Sequence, residues 1–417
     1  MLAAGLASLV AAHIVRRAHA QWCLHHLNRD SLEKAISLDP EECEGYFTLA
    51  VYNSLSTDYV DPRRQEELFR QALRCQPLKS KYWLGLASFL QYTGGSEAAA
   101  VAAQRAAALG PYNSLTLWRS GNFMLMAGKT DEAFDMFRRS LLGAPGYASQ
   151  VFRICWRSTD DGEKILRQAV PDTVEMNLAY LSFLTSPDAL RLDEARKVWD
   201  RLLGIRQVFP VESTFGYFDA LLHAGRTSEA ANAWERLVQV GVLPKEESRS
   251  ADNVMVNGRF EVEPVNGGLD WRISPVAGVA IETDREVHHG GAASLAVYFE
   301  GLGNLDFQHV AQVDVVNPNT DYDFRAFMKS RGLSTQAGPH FEIFDPQDVQ
   351  KYQWETPDVL GTTEWSEYSL KIHTGPQTRL LTVRLRRKPA VELNKRIEGA
   401  LWVDDVQLVV DKQSPRP

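Results

Sequence analysis

The residues that could recognise a ligand lie in the second half of the chain, on segments where polar and apolar residues alternate. One alternate set combines aromatic, cationic and acidic side chains: Tyr298, Arg325, Phe327, Lys329, Glu342, Arg384 and Arg386. The CH groups of a sugar ring stack on aromatic faces, and its hydroxyls hydrogen-bond to charged side chains. This mixture therefore predicts a glycan-binding surface, and its arginines favour acidic sugars.

Two alternatives stay open for these side chains. They suit equally a solvated outer face that is divided between two sheets and binds no ligand. Trp271 is either a further stacking platform or, as is more usual for a tryptophan in a β-sandwich, part of the apolar core.

Catalysis is not predicted. The sequence lacks the GxSxG, HExxH, dinucleotide-binding and protein-kinase motifs, and the AGKT at 127–130 lacks the first glycine of a phosphate-binding loop. Asp404 and Asp405 are adjacent, so on a strand they are expected to point to opposite faces and not to form the acid and nucleophile of a glycosidase. The chain is therefore expected to be no enzyme and to require no cofactor.

Short antiparallel strands are the elements that must position the ligand-binding set. Alternation marks six of them, at 293–299, 321–329, 340–344, 367–373, 379–385 and 400–410. The other parity is apolar and is expected to face the core: Leu295, Val297, Phe299, Tyr322, Phe324, Leu370, Ile372, Val383 and Leu385. Such strands predict two packed antiparallel sheets.

The first half of the chain is a helical repeat. Pro77, Pro111 and Pro145 are 34 residues apart, and each is expected to follow a helix with small and large apolar residues on one face. Gly94 and Gly128 are separated by the same interval and are expected to cap helices in the left-handed conformation. The segment AGKTDEA at 127–133 recurs as AGRTSEA at 224–230, where the threonine is expected to cap the next helix.

These residues resemble the tetratricopeptide repeat over 31–242. The positions that fit its pattern are Trp83, Leu86, Ala87, Ala99 and Pro111, with another match beginning at Ala195 and Trp199. Residues 147–171 depart from the interval and predict a shortened or irregular helix pair, and the turn at 56–62 is expected to hold extra residues. The resemblance implies a superhelix whose concave face binds a protein partner, and a rigid spacer is the alternative.

The second half resembles the jelly-roll carbohydrate-binding modules of families four, nine and twenty-two. The segments that carry the resemblance are NGRFE at 257–261, HHGGAASLAV at 288–297, TTEWSEYSL at 362–370 and WVDDVQL at 402–408. It implies a galactose-binding-like β-sandwich that binds a glycan, with a structural calcium ion at Glu261 and Asp404. Two carboxylates with backbone carbonyls suit this ion, although both are alternatively ordinary strand-end residues. His288 and His289 precede glycines and are expected to shape a turn rather than to bind a metal.

The composition is that of a folded, multidomain chain. Its 417 residues carry 45 basic and 53 acidic side chains, and the net charge of -8 excludes a generally basic surface for nucleic acid. Helices are predicted to precede strands: an apolar segment at 1–20, a tetratricopeptide solenoid at 21–242, a polar linker at 243–256, a β-sandwich at 257–411 and a tail at 412–417.

Two features bear on the cellular compartment. Residues 1–14 are mostly apolar and precede Arg16 and Arg17, so they are either the end of a membrane anchor that starts upstream or an amphipathic first helix. All four cysteines are expected to be buried thiols, and a Cys43–Cys75 disulfide in an oxidising compartment is the alternative.

We therefore expect a non-catalytic adaptor of the bacterial cell envelope, active in polysaccharide assembly or export. Its repeats would bind a protein partner, its sandwich a glycan, and its N-terminus the membrane. One alternative is a protein-only scaffold whose sandwich is structural or binds another protein. Another is a targeting module for a separate glycoside hydrolase.

Overall fold

The computed structural model describes residues 2–56, 61–250, 252–390 and 395–411, with side chains from Leu9 onward. The predicted tail at 412–417 and the centre of the predicted insertion, 57–60, lie outside this part of the chain. The chain forms two compact units, Met1–Tyr180 and Leu181–Pro417.

Helices precede strands, as predicted. The described residues form fourteen α-helices: α1 (Leu2–His25), α2 (Arg29–Leu38), α3 (Cys43–Leu55), α4 (Pro62–Cys75), α5 (Ser80–Tyr92), α6 (Ser96–Leu109), α7 (Ser114–Met126), α8 (Thr130–Gly143), α9 (Ala148–Ser158), α10 (Gly162–Gln168), α11 (Val174–Thr185), α12 (Leu192–Gly204), α13 (Phe215–His223) and α14 (Thr227–Gln239). Single 3₁₀ turns lie at Pro145–Tyr147, Val211–Thr214 and Lys245–Glu247.

The first unit has the predicted repeat architecture. Helices pack as the pairs α3–α4, α5–α6 and α7–α8, and α5 also contacts α3 and α7. Pro77, Pro111 and Pro145 each follow the second helix of a pair, and the caps Gly94 and Gly128 have φ angles of 87° and 75°. The irregular pair at 147–171 is confirmed as the short helices α9 and α10. The 34-residue interval thus predicted the helix pairs, and the departure from it predicted the position of the short pair.

The predicted threonine caps are wrong. Thr130 and Thr227 are the first residues of α8 and α14, and neither the preceding Lys129 nor Arg226 caps its helix through a side chain. At α14 the guanidinium of Arg226 instead donates to both carboxylate oxygens of Glu229, at 2.6 and 2.7 Å. An ion pair therefore lies in the first turn where a hydroxyl cap was expected.

The cysteines divide into two kinds. Cys43 and Cys75 form a disulfide that joins the start of α3 to the end of α4, so the expectation of four thiols is wrong for this pair. Cys23 and Cys155 are buried thiols, as expected. Burial raises the pKa of Cys155 to about 12, which makes its thiol unreactive.

Among its residues with described side chains, the N-terminal helix is buried in its final turns. Ala20 and Cys23 are buried, α1 contacts α2, and Arg17 Nε donates to Asp39 Oδ2 at 2.9 Å. Leu9, Val10 and Ile14 are exposed. Among the described residues, no helix is both long enough and apolar enough to span a membrane.

Two antiparallel sheets follow the helices. The strands are β1 (Arg272–Ile273), β2 (Val279–Asp284), β3 (Ser294–Glu300), β4 (Phe307–Val315), β5 (Asp321–Leu333), β6 (His340–Phe344), β7 (Gln353–Glu355), β8 (Gly361–His373), β9 (Leu380–Arg387) and β10 (Glu398–Val410). The first sheet has the order β2-β3-β10-β5-β8, and the second sheet has the order β1-β4-β9-β6-β7. All nine apolar residues predicted to face the core pack in the cluster between the sheets.

Residues 243–256 connect helices to sandwich but are not an exposed polar linker. Leu243, Glu247 and Met255 are buried, and Trp234 Nε1 of α14 donates to the carbonyl of Glu247 at 2.9 Å. Residues after this segment also pair with the last strand, where Val406 N donates to Gly258 O at 2.8 Å. Helix α14 and the sandwich are therefore packed together within the second unit.

Candidate functional site

The predicted ligand-binding side chains do not share one surface. Tyr298 on β3 and Arg325, Phe327 and Lys329 on β5 lie on the outer face of the first sheet. The remaining three, Glu342, Arg384 and Arg386, lie on the outer face of the second sheet. The single seven-residue surface is therefore wrong, because adjacency in a sandwich depends on strand order that parity alone does not give.

The aromatic rings of the first-sheet face contact other side chains, and Tyr298 and Phe327 are half-buried. The ring of His289, in the loop between β2 and β3, stacks on Phe327 with centroids 3.7 Å apart. Trp402 is only 3% exposed, and its Nε1 donates to Asp284 Oδ2 at 2.8 Å beneath the same loop. The guanidinium of Arg331 lies 5.3 Å from the Trp402 ring. These rings have protein neighbours where a sugar ring would stack.

Hydrogen bonds hold the β2–β3 loop over this face. Burial alone would raise the pKa of Asp284, but donors from Trp402 and from the backbone N–H groups of Glu286 and Val287 lower it below its ordinary value. The cations beside it are paired as well, with Lys329 Nζ 2.6 Å from Glu364 and Arg325 Nη2 3.6 Å from Asp323. The first-sheet face thus carries a small aromatic cluster with ion pairs at its edge.

The second-sheet face carries a continuous line of polar side chains across four strands. We call it the polar row, and its members are Gln308 on β4, Arg384 on β9, Glu342 on β6, Gln353 and Glu355 on β7, and Lys388 just after β9. Strand order β4-β9-β6-β7 brings them together although they are far apart in sequence. The row is therefore a product of sheet topology.

Hydrogen bonds join each member of the polar row to the next. Arg384 donates to Gln308 Oε1 at 2.8 Å and to Glu342 Oε2. Gln353 Nε2 donates to Glu342 Oε1 at 2.7 Å and to Glu355 Oε1 at 2.8 Å. Lys388 Nζ lies 2.6 Å from the same Glu355 oxygen. The side chains are thus ordered without a ligand, so binding would require little loss of side-chain entropy.

The polar row is partly open to solvent. The side chain of Arg384 is 24% exposed while that of Glu342 is 5% exposed, and Gln308 and Gln353 are exposed. Burial tends to raise the pKa of Glu355, but hydrogen bonding to Lys388 lowers it overall, so this carboxylate is ionised at neutral pH. Two anions and two cations leave the row without net charge.

Arg386 and Trp271 make structural contacts within the sandwich. Arg386 Nη1 donates to the carbonyls of Phe307 at 3.0 Å and Arg387 at 2.9 Å and pairs with Asp306. Trp271 is 0% exposed and its Nε1 donates to Asn257 O at 3.2 Å. Trp271 therefore belongs to the core, and its alternative as a stacking platform is wrong.

Glu261 and Asp404 meet at one turn. Asp404 Oδ2 accepts from the backbone N–H groups of His289 at 2.8 Å and Gly290 at 2.9 Å, while Glu261 accepts from Ala292 N at 3.0 Å. Burial raises the pKa of Asp404. Two carboxylates supply the oxygen ligands that a hard cation prefers, but in the described part of the chain no group of three or more His, Cys, Asp or Glu side chains is arranged to hold a metal ion.

The adjacent Asp405 also reaches this turn. Its carboxylate lies 2.7 Å from His289 Nδ1 and 3.0 Å from Arg259 Nε. The expectation that Asp404 and Asp405 point to opposite faces is wrong, because a β-bulge between Asp404 and Gln407 places Asp405 at φ 48°. Both carboxylates therefore serve to hold the 288–292 turn.

The first unit contains a separate groove between its helices. A cavity of about 450 Å³ lies among α3, α4, α5 and α7. Its lining is Phe47, Val51, Ser54, Leu55, Phe69, Lys81, Gly85, Ser88 and Arg119. On α3 and α5 these residues recur at helical spacing, so each helix turns one face to the cavity.

The structure shows successive packed helix pairs, followed by a sandwich of two five-stranded antiparallel sheets. MamA is similar over the helical region, with 20% identity over 42% of this chain and 84% of that chain and a TM-score of 0.27. PilF of Pseudomonas aeruginosa is similar there too, with 18% identity, 55% and 94% coverage and a TM-score of 0.30. A family 4 carbohydrate-binding module matches the β region with 15% identity, 38% and 99% coverage and a TM-score of 0.28. Neither a protein-family model nor a curated protein matches the chain.

Proposed function

We propose that the chain is a non-catalytic adaptor that binds a glycan through the polar row and a protein through its helical repeats. The polar row is the observation that carries the glycan half of this proposal. It presents amide, carboxylate and guanidinium groups in fixed positions on a solvent-facing sheet, which is the donor and acceptor pattern that sugar hydroxyls require.

The charge balance of the polar row selects the class of glycan. Arg384 is paired with Glu342, and Lys388 is paired with Glu355. Because no cation is left in excess there, the sequence-based preference for acidic sugars is not part of the proposal. We propose a neutral, hydroxyl-rich polysaccharide segment as the ligand, recognised by hydrogen bonds rather than by ion pairing.

A glycan array followed by titration calorimetry tests this assignment. The variants Gln308→Ala and Gln353→Ala remove exposed members of the row and leave its buried Glu342 in place, so both should fold. We expect each to weaken binding of a neutral oligosaccharide by about tenfold, the effect of losing roughly one or two hydrogen bonds.

The matched control is Arg325→Ala on the other sheet, which should bind as the unchanged protein does. Equal loss in all three variants, or binding that depends on Arg325 alone, would contradict the row as the site. A silent array with an intact fold would favour the protein-only scaffold, for which the stacking of His289 on Phe327 is the supporting observation.

We also propose that the protein acts outside the cytoplasm, in polysaccharide assembly or export at the bacterial envelope. The Cys43–Cys75 disulfide supports this location, since structural disulfides persist in oxidising compartments. Fractionation of intact cells with added protease, combined with alkylation before and after reduction, measures location and disulfide state together. A protected, fully reduced protein would contradict the proposal.

Calcium is a further part of the proposal. Glu261 and Asp404 would hold it, with backbone carbonyls and water completing the oxygen ligands that this ion prefers. Its function there would be structural, because both carboxylates contact the 288–292 turn and lie away from the polar row.

A further inference from the structure

The cavity in the first unit has an aromatic floor. Phe47 and Phe69 meet edge to face with centroids 6.1 Å apart, and Val51 lies one helical turn beyond Phe47 on α3. A Cβ at position 85 would lie 2.6 Å from the Phe47 ring and 2.9 Å from the Phe69 ring, so glycine is what allows α5 to approach both. At the mouth, Leu55 is 82% exposed. The cavity is thus an apolar hole with an exposed aliphatic residue at its entrance.

Positive charge surrounds this apolar floor. Lys81 and Arg119 line the cavity, and no acidic side chain of the described residues lines it with them. Glu44 is 2.5 Å from Lys81 Nζ, but it is also 3.0 Å from Lys79 Nζ, so one carboxylate faces two ammonium groups. Hydrogen bonds from both lysines overcome the effect of burial and keep the pKa of Glu44 below its ordinary value.

Arg119 is the second cation in the lining of the cavity. Its guanidinium is exposed and meets the Ser88 hydroxyl at 3.4 Å, and no carboxylate of the described residues lies within 4.0 Å of it. Positions 85 and 119 are 34 residues apart, so Arg119 occupies on α7 the place that Gly85 occupies on α5. Arg119 therefore lies one repeat after Gly85 and lines the same cavity, as a cation with no acidic partner among the described residues.

We infer that this groove binds a linear peptide segment in which a bulky apolar side chain is flanked by carboxylates. The apolar side chain would fill the cavity above Phe47 and Phe69, and a neighbouring carboxylate would pair with Arg119. Buried apolar contact would supply affinity, while the charges would set specificity. This inference rests on the proposed protein-binding role of the repeats and narrows it to one groove and one class of segment.

Fluorescence anisotropy with three labelled decapeptides provides the test. Their central residues would be Asp-Leu-Phe-Asp, Lys-Leu-Phe-Lys and Asp-Ser-Ser-Asp in an otherwise identical glycine-serine sequence. We expect the first to bind and each of the others to bind at least about tenfold more weakly, because each lacks either the charge or the apolar contact. Equal binding of the three peptides, or no binding of any, would overturn the inference.

Three variants test whether the peptide binds in the groove. Arg119→Glu should weaken binding of the first peptide by at least about tenfold and reduce the difference in affinity between the first peptide and the lysine peptide. Arg105→Glu changes an exposed residue on α6 outside the cavity lining and should leave the affinity for both peptides unchanged. Leu55→Asp places a carboxylate at the apolar mouth, where the side chain is 82% exposed, and should also weaken binding of the first peptide. Circular dichroism melting verifies that each variant is folded. Equal effects of Arg119→Glu and Arg105→Glu would overturn the assignment.

Photo-crosslinking in cells separates this inference from the function on which it rests. A benzoylphenylalanine would replace Leu55 at the groove mouth or Tyr112, which is exposed outside the lining. Protein adducts at Leu55 that Arg119→Glu abolishes would support the groove. Adducts at Tyr112 alone would overturn the groove while leaving the protein-binding role in place. The absence of adducts at both positions would count against the role itself.

Discussion

Carboxylates in the second unit occupy two different environments. Glu261 and Asp404 accept hydrogen bonds from the backbone N–H groups of one turn, although Asp404 is itself fully buried. Glu247 and Asp270 are fully buried beside each other, and three of their four carboxylate oxygens have no hydrogen-bond donor. The first environment supplies hydrogen-bond donors to its carboxylates, while the second lacks them and suits a shared proton.

Removal of calcium tests the Glu261 and Asp404 pair. If the ion binds there, saturating calcium should raise the thermal midpoint of the protein relative to EDTA, since a ligand that binds only the folded state stabilises it by about 2.7 kcal/mol at a hundred times its Kd. Glu261→Gln should abolish the difference, whereas Glu263→Gln in the same segment should preserve it. An identical melting curve in calcium and EDTA would remove calcium from the proposal.

The buried pair predicts a dependence of stability on pH. Burial raises the pKa of Glu247 and of Asp270, and the nearby Glu246 raises that of Glu247 further. A carboxyl whose folded-state pKa is raised gives its full stability below its unfolded pKa and loses it as pH rises through the folded value. The second unit should therefore be more stable at pH 5 than at pH 8.

Glu247→Gln is the variant for this measurement. Its amide supplies a hydrogen to Asp270 at any pH, so urea unfolding should show a flatter pH profile and a gain of about 1 to 2 kcal/mol at pH 8. Glu246→Gln, at a neighbouring exposed position, is the control and should retain most of the slope. A profile for Glu247→Gln parallel to that of the unchanged protein would show that the pair is not the source.

Among the elements, the strands that the sequence predicts are those with one apolar face in the core. Strand β6 spans the predicted residues, β3 and β9 are shifted by one or two residues from their predicted segments, and β5, β8 and β10 are two to six residues longer than predicted. The alternating segments did not include β2 and β4, and β7 has three residues, too few to show a period. The sequence analysis therefore missed Gln308 and Gln353, which lie on these strands. It also missed the polar row as a whole, because strand order cannot be derived from local alternation.

The helices were predictable for a related reason. A 34-residue interval is a long-range pattern that survives variation at single positions, so Pro111 and Gly128 marked their turns correctly. The cap at Thr130 was wrong because a threonine can begin a helix without capping it. The Arg119 groove was not predicted either, since it depends on side chains from three successive helix pairs rather than on the consensus positions.

The disulfide is an element-level constraint on the first repeat. It closes a segment with a sequence separation of 32 residues, for which chain entropy gives a stabilisation of about 2 to 4 kcal/mol. The Cys43→Ser, Cys75→Ser double variant should lower the free energy of unfolding of the first unit by that amount in urea. Reduction of the unchanged protein should reproduce the variant. Cys23→Ser changes a thiol outside the bridge, and loss of the reduction effect in that variant would contradict the pairing.

For the molecule as a whole, the change of period at 243 and the division into compact units fall at different places. The units divide between Tyr180 and Leu181, so α12, α13 and α14 belong with the sandwich. Their side chains make the contacts that explain this grouping. Arg272 of β1 pairs with Asp219 of α13 at 2.7 Å, and the Trp234 indole packs so closely on Gly268 that a Cβ there would lie 2.1 Å from it.

Two fragments that begin at different residues test whether the last helices and the sandwich form one folding unit. Residues 181–417 should unfold in one cooperative transition, because α14 and the sandwich share a packed junction. Residues 257–411 alone would expose the surface that contacts Trp234 and would lose Glu247, leaving Asp270 without its partner. We expect scanning calorimetry to show a thermal midpoint at least about 5 °C lower for the shorter fragment, equivalent to roughly 1 to 2 kcal/mol at this size. Equal midpoints would mean that the sandwich is an independent domain and that the helices merely adjoin it.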